Sequence, residues 1–341
     1  MKTFQIKGST GESLLLIGEK IGSLAKYVPA DRAIIITDAH VEELYRKKFP
    51  PWPVIRIGTG ESAKTLDAVK AIYGALLDLE ADRSSFIVGI GGGLVCDVAG
   101  FAASTYMRGL RFGFVSTTLL AQVDASVGGK NGVNFEGYKN IVGVFNQPAF
   151  VVCDISLLST LPEKEILSGL GEIVKHAAIA DIDLFRFMEA NTENILDLDP
   201  GAIERLVHDS ITIKSSIVNQ DERESGARRK LNFGHTFGHA FEKITGKSHG
   251  EAVSGGMMAA AAISVQRGLL SGAELKRIET LLHRLHLPAA FPVDRRLVLD
   301  AVKRDKKREK ENVHFVLLNG LGRAVVESIS FDDLEKAYIL T

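Results

Sequence analysis

Ser85-Phe-Ile-Val-Gly-Ile-Gly-Gly-Gly-Leu-Val-Cys-Asp97 is the stretch that decides the fold class. Ser85–Ile90 is an apolar run of strand length, Gly91-Gly-Gly93 interrupts it, and Leu94–Met107 resumes with helical spacing. A buried strand passing through glycines into a helix is the repeating unit of parallel α/β sheets, whose strands are covered on both faces. The unit recurs on either side. Ser13–Ile17, Ala33–Thr37, Val54–Ile57 and Phe112–Val115 read as strands, and Ser62–Leu79 reads as a helix. Ligands of such sheets bind beyond the carboxyl ends of the strands, which singles out Asp38 and Gly91–Gly93. Glycine N–H groups at a helix N-terminus suit a pyrophosphate. The spacing is not Gly-x-Gly-x-x-Gly, so the ordinary dinucleotide fingerprint does not apply. A plain strand–helix turn competes with the nucleotide reading here, as a helix N-cap before Val41–Lys47 does for Asp38.

After Pro162 the pattern turns helical. Lys164–Ala180, Ala202–Val218, Ala227–Ile244, Gly255–Gly268 and Ala273–Leu285 have helical apolar spacing, with short strands expected at His314–Leu318 and Ala324–Ser328. The expected organisation is a parallel-sheet α/β domain over 1–158 followed by a mainly helical domain over 159–341. With 41 basic and 42 acidic residues the chain is almost neutral, which gives no support for a nucleic-acid or membrane partner. No stretch approaches the ~20 apolar residues of a membrane span. The N-terminus lacks an apolar signal core. Cys96 and Cys153, the only cysteines, lie in apolar runs and read as buried free thiols, which suits a reducing cytoplasm. The charge run Lys303–Lys310 reads as a solvated helix face from which one lysine could reach a phosphate.

Three segments carry chemistry. Ser116–Lys130, continuing to Lys139-Asn140, is dense in small and polar residues and reads as a long loop, in which Thr117, Thr118, Asp124, Lys130, Lys139 and Asn140 could line a cleft. Glu172, His235, His239 and His249 form the second set. His235 and His239 lie one helical turn apart on one face. One carboxylate with any two of these imidazoles, and positions left open, is the ligand set of a catalytic rather than a structural zinc. The third is a stripe of Glu224, Arg228, Asn232, His235 and His239 along a helix expected from Asp221 to Glu242, with Lys214 upstream able to join Arg228 around an anion. A dinucleotide and an open divalent metal together suggest redox chemistry on a hydroxylated substrate.

Thr117-Thr-Leu-Leu-Ala-Gln-Val-Asp124, Ser126-Val-Gly-Gly-Lys130, Glu172-Ile-Val-Lys175 and Leu231-Asn-Phe-Gly-His-Thr-Phe-Gly-His-Ala240 closely resemble the 3-dehydroquinate synthase family of sugar-phosphate cyclases. The resemblance runs from Asp38 to Asp305-Lys-Lys307. It implies an NAD-binding α/β domain, a helical metal and substrate domain, a site in the cleft between them that closes over its ligands, and a homodimer. It implies zinc or cobalt on Glu172, His235 and His249, which leaves His239 to the substrate. NAD contacts would fall on Asp38, Glu61, Lys64, Gly92, Gly93, Asp97, Thr117, Thr118 and Lys139. Substrate contacts would fall on Asp124, Lys130, Asn140, Lys175, Lys214, Glu224, Arg228, Asn232, His239 and either Lys306 or Lys307, with Arg108 reaching the neighbouring subunit's substrate phosphate. The implied reaction takes 3-deoxy-D-arabino-heptulosonate 7-phosphate to 3-dehydroquinate and phosphate. Lys214 with Arg228 argues for this carboxylate-bearing substrate over those of related cyclases. The lysine and asparagine set around a leaving phosphate argues against a plain metal-dependent polyol dehydrogenase. Ser116, Ala125, Asn131 and Tyr138 depart from the residues common in the family (Pro, Ser, Thr and Gly), and none of them has an assigned role.

Overall fold

The computed structural model describes residues 1–29, 31–305 and 312–339; Lys306 and Lys307 lie outside the described residues. The chain separates into two compact units, Met1–Leu161 and Pro162–Thr341.

The first unit runs β1 (Lys2–Gly8), β2 (Gly11–Ile17), β3 (Ala33–Asp38), α1 (Ala39–Tyr45), β4 (Val54–Ile57), α2 (Leu66–Asp78), β5 (Phe86–Gly91), α3 (Gly93–Thr105), β6 (Arg111–Ser116), β7 (Lys130–Phe135), β8 (Tyr138–Phe145) and β9 (Phe150–Cys153). Its main sheet is seven-stranded in the order β1-β2-β9-β6-β5-β3-β4. Every pairing is parallel except the β1–β2 hairpin. From β3 the chain goes outward to β4, then crosses back to β5 on the other side. The strand order therefore reverses between β3 and β5, the switch point at which open α/β sheets bind ligands. β5 is buried at every position, as a strand covered on both faces must be. Phe86 and Phe150 stack in the core at 5.8 Å. Cys96 and Cys153 are buried free thiols.

The expected loop over 116–140 is not a loop. It holds a π-helical turn at Ala121–Ala125, followed by the antiparallel β7–β8 hairpin. The hairpin closes between Phe135 and Tyr138 with Glu136 at φ 49° and Gly137 at φ 79°, the paired positive φ values of a tight two-residue turn. Glycines at 132 and 143 erase the side-chain alternation that would have marked the strands. Asn131, one of the family departures, is buried and donates from Nδ2 to Gly129 O at 3.0 Å and Asn146 O at 2.9 Å, tying the base of the hairpin.

The second unit runs α4 (Glu163–Ala180), α5 (Ile182–Ala190), α6 (Thr192–Leu196), α7 (Pro200–Gln220), α8 (His235–Thr245), α9 (His249–Gln266), α10 (Gly272–Arg284), α11 (Arg295–Asp305), β10 (Asn312–Leu318), β11 (Ala324–Ser330) and α12 (Phe331–Ile339). β10 and β11 form the late hairpin expected from the sequence. Caps set several helix starts. Asp199 accepts from Ala202 N ahead of Pro200 at the start of α7. Ser248 with Glu251 and Ser271 with Glu274 form capping boxes for α9 and α10.

Two helix expectations need correction here. The single helix over Ala227–Ile244, and the stripe along Asp221–Glu242, are broken. Ala227–Asn232 is a 3-10 turn, Gly234 turns left-handed at φ 79°, and α8 starts at His235. α9 starts at His249, six residues ahead of the expected Gly255, because the capping box nucleates it there.

Candidate functional site

Three helix positions build a polar cluster that could hold a metal ion. Glu172 lies mid-α4 with its side chain fully buried, His235 is the first residue of α8, and His249 is the first residue of α9. His249 Nε2 lies 3.3 Å and His235 Nε2 3.6 Å from Glu172 Oε1. Both exceed the usual ~2.7–3.2 Å of an N–H···O hydrogen bond. They match the roughly 3.3 Å between two donors bound tetrahedrally to one ion at about 2.0–2.1 Å. Oε1 is buried with no hydrogen-bond partner, while Oε2 is taken by Lys175 Nζ. A buried carboxylate oxygen left open with two imidazole nitrogens converging on it is what a divalent cation would complete, so the residues present fit the metal.

The electrostatics agree at Glu172 and His235; at His249 burial pushes the imidazole down but the Glu172 and Glu242 carboxylates prevail and raise it to about 9, so this ring must give up a proton to ligate. Burial pushes the Glu172 carboxyl up, but the Lys175 ammonium and both imidazoles outweigh it and hold the group well below the usual carboxylate range. Burial, with Lys175, pushes His235 well below its ordinary value, so its nitrogen stays neutral and able to ligate. His235 Nδ1 lies 3.2 Å from Phe233 O, which orients the ring with Nε2 toward Glu172.

The close approach of α4 and α9 brings Glu172 and His249 together. A Cβ on Gly250 would lie 2.2 Å from Ser168 O, and one on Gly171 would lie 2.6 Å from Gly250 O. Gly171 precedes Glu172 and Gly250 follows His249, so each ligand sits beside the glycine that lets the backbones touch.

The second unit's other expected substrate residues lie on α7, α8 and the segment between them. His239 is one turn along α8, its ring 5.4 Å from that of His235. Lys214 on α7 and Arg228 in the 3-10 turn are buried cations. Asn232 Nδ2 donates to Glu224 Oε1. Glu224 stands at φ 61° in a turn that sequence periodicity had placed in a helix. Asp221, which sequence reasoning missed, organises that turn: its carboxylate accepts from Gly226 N at 2.7 Å, Ser225 N at 3.0 Å and Arg228 N at 3.1 Å. Burial pushes its carboxyl up, but these backbone donors prevail and lower it to about 2. The signal was available, since Asp221-Glu-Arg-Glu-Ser-Gly226 is a polar run with an acid at its start and a glycine at its end.

In the first unit, the expected nucleotide residues collect at the carboxyl edge on either side of the switch point. Asp38 pairs with Ile57 and Gly91 with Ser116 at that edge. Gly92 caps α3 with no side-chain bond, so the helix N-terminus is open to an anion. A Cβ at Gly92 would meet Thr118 Cγ2 at 3.0 Å. Thr117 N bonds Gly91 O at 2.9 Å, holding the β6 exit against the glycine turn. Lys64 is buried and pairs with Asp97 at 2.5 Å. Glu61 accepts from Asn134 at 2.8 Å. Asp38 does cap α1, accepting from Val41 N at 2.9 Å through Oδ1. Lys130, Lys139 and Asn140 are exposed on the β7–β8 hairpin, with Asn140 N bonded to Asn134 Oδ1 at 2.9 Å. Asp124 is half-buried in the π-helical turn. Arg108 is exposed after α3 at φ 70°.

Comparison with known proteins agrees with both halves. Residues 54–168 match the family described as 3-dehydroquinate synthase N-terminal, and residues 169–308 match 3-dehydroquinate synthase C-terminal. The 3-dehydroquinate synthase of Thermoanaerobacter pseudethanolicus is 40% identical over 333 residues, 93% of each chain. Among solved structures, a 2-deoxy-scyllo-inosose synthase complexed with carbaglucose-6-phosphate, NAD+ and Co2+ matches at a TM-score of 0.88 and 29% identity, covering 99% of each chain. The 2-epi-5-epi-valiolone synthase of Streptomyces hygroscopicus subsp. jinggangensis, with NAD+ and Zn2+ bound, matches at 0.87 and 26%, covering 100% of this chain and 99% of that one.

Proposed function

The chain belongs to the 3-dehydroquinate synthase family, and on that premise we propose that it converts 3-deoxy-D-arabino-heptulosonate 7-phosphate to 3-dehydroquinate and phosphate, an NAD- and divalent-metal-dependent lyase of aromatic biosynthesis. The observation that carries the reading is the convergence of His235 and His249 on the open oxygen of Glu172.

Glu172, His235 and His249 hold the cation, and Lys175 keeps Glu172 ionised by occupying Oε2. The N–H groups at Gly92 and Gly93 and the α3 N-terminus take the pyrophosphate of NAD, with Asp38 on a ribose and Glu61, Lys64, Asp97, Thr117, Thr118 and Lys139 completing its contacts. A bound cation would supply Lewis acidity that lowers the pKa of a chelated hydroxyl, and bound NAD would supply reversible hydride transfer without being consumed. The transient ketone acidifies the neighbouring C–H and permits phosphate elimination; after re-reduction the ring opens and an intramolecular aldol step closes the carbocycle.

The chain's donors are placed for charge. Lys130, Asn140, Asn232, His239 and one of Lys306 or Lys307 hold a phosphate that gains charge as it leaves. Lys214 and Arg228 clamp the substrate carboxylate, Arg228 by two parallel hydrogen bonds. Asp124, Glu224 and Lys175 order hydroxyls and a proton relay. Arg108, exposed in a strained turn, serves the neighbouring subunit's phosphate in a homodimer. Two buried free thiols fit a cytoplasmic setting.

The test is purified protein with NAD, zinc and the heptulosonate phosphate. Many phosphates released per NAD, with 3-dehydroquinate formed and no net reduction of nicotinamide, is the expected result. Zinc-loaded protein that releases no phosphate overturns it. Lasting reduction with glycerol as substrate would point to a dehydrogenase.

A further inference from the structure

We propose that Glu242 is the positioning residue for the metal ligand His249: it holds the imidazole at Nδ1 so that Nε2 faces the open oxygen of Glu172. The inference rests on the metal reading above and extends it to a residue outside the ligand set.

Glu242 lies seven residues after His235 on α8, two turns along the same face. The helix then stops at Gly246, which is left-handed at φ 67°, and a short turn through Ser248 delivers His249 as the first residue of α9. The reversal folds His249 back over the last turns of α8. Its two ring nitrogens meet two different carboxylates: Nδ1 lies 3.5 Å from Glu242 Oε2, and Nε2 lies 3.3 Å from Glu172 Oε1. Each ring nitrogen thus faces a carboxylate at ion-pair distance, and α8 supplies one candidate ligand directly and the carboxylate that faces the other.

Lys247, on the same turn, pairs with Glu251 at 3.0 Å, and Glu251 also closes the capping box on Ser248. His235, the other imidazole ligand, takes its orientation from a backbone carbonyl instead, at Phe233 O. Removal of the Glu242 carboxylate therefore loosens His249 and leaves His235 as it is. A carboxylate on the far nitrogen of a ligating histidine fixes the tautomer and makes the metal-facing nitrogen more basic.

The experiment measures zinc affinity directly. Chelator-stripped wild type, Glu242→Gln and Glu242→Ala are titrated with zinc in competition with a chromophoric chelator, with a thermal melt of each metal-free protein. The expected outcome is about 10–100-fold weaker zinc binding in both variants, the typical cost of losing such a partner. Metal-free melting should be nearly unchanged, and turnover should recover at saturating zinc. Adding Glu242→Gln to His249→Ala should weaken binding no further. Glu242→Gln with wild-type zinc affinity, or a loss that persists undiminished without His249, overturns the inference and leaves the metal reading standing. Wild type that takes up no zinc overturns the metal reading itself, and the inference with it.

Discussion

Gly250→Ala is a single-methyl perturbation aimed at the geometry of the metal centre, and its size follows from the contact of α4 with α9. The added Cβ would lie 2.2 Å from Ser168 O and 2.5 Å from Ser168 Cα, both backbone atoms that no rotamer change can move. Ordinary contact begins near 3.4 Å, so the helices must part by about 1.2 Å at this point. His249 is the adjacent residue, and its Nε2 starts 3.3 Å from Glu172 Oε1. Added in full, the displacement takes that gap to about 4.5 Å, whereas two bonds of ~2.0–2.2 Å to one ion span at most about 4.4 Å even in a straight line. The two groups could then no longer share a cation, so zinc affinity should fall at least ~100-fold. Overpacking of this kind costs about 1–3 kcal/mol, and at this domain size each kcal/mol lowers the melting temperature by roughly 2–4 °C. The assay is chelator competition for zinc beside a thermal melt of the stripped protein. Gly272→Ala is the control, because nothing lies within 4 Å of a Cβ there. If Gly250→Ala binds zinc within twofold of wild type and melts at the same temperature, the claim that this crossing sets the ligand spacing is wrong.

Lys175→Met leaves the Glu172 carboxylate fully buried without its ammonium partner, and breaking such a pair costs roughly 3–5 kcal/mol; denaturant unfolding of the metal-free protein should show this loss, with part of it restored by zinc. Arg228→Lys keeps the charge but loses the fork that grips a carboxylate, so KM should rise about tenfold with a smaller change in kcat, read by steady-state kinetics. Asp221→Asn removes the acceptor that orders the turn carrying Glu224 and Arg228, and should raise KM while leaving zinc affinity unchanged. Because the folded pKa of Asp221 is depressed to about 2 from 3.8, its contribution to stability is present above pH ~3.8 and is lost as pH falls through 2. Wild type and Asp221→Asn should therefore converge in stability at the acid end of that window.

What the sequence by itself determined are the features that live in local pattern. Apolar runs of strand length ending in Asp38 and in Gly91–Gly93 marked the parallel sheet and its ligand-binding edge, because a strand buried on both faces has no polar alternation to hide. Glu172, His235 and His249 were legible as a ligand set from residue type alone, but with His239 an equal candidate on spacing. The tertiary structure places them differently. His239 shares the α8 face with His235, yet it is His249, brought back by the Gly246 turn and the Gly171–Gly250 crossing, whose nitrogen faces Glu172. Spacing could not show this because it is a property of two helices in contact, not of one. Periodicity failed wherever glycine or a carboxylate overrode it. Gly234 broke the helix that the stripe from Glu224 to His239 implied, and Asp221 held Glu224 in a turn instead. Glycines at 132 and 143 concealed a hairpin whose strands are defined by backbone pairing, with no side-chain pattern to announce them. The local chain thus chose the elements and the chemistry at hand; the close backbone contacts, which exist only once helices pack, decided which of those groups meet.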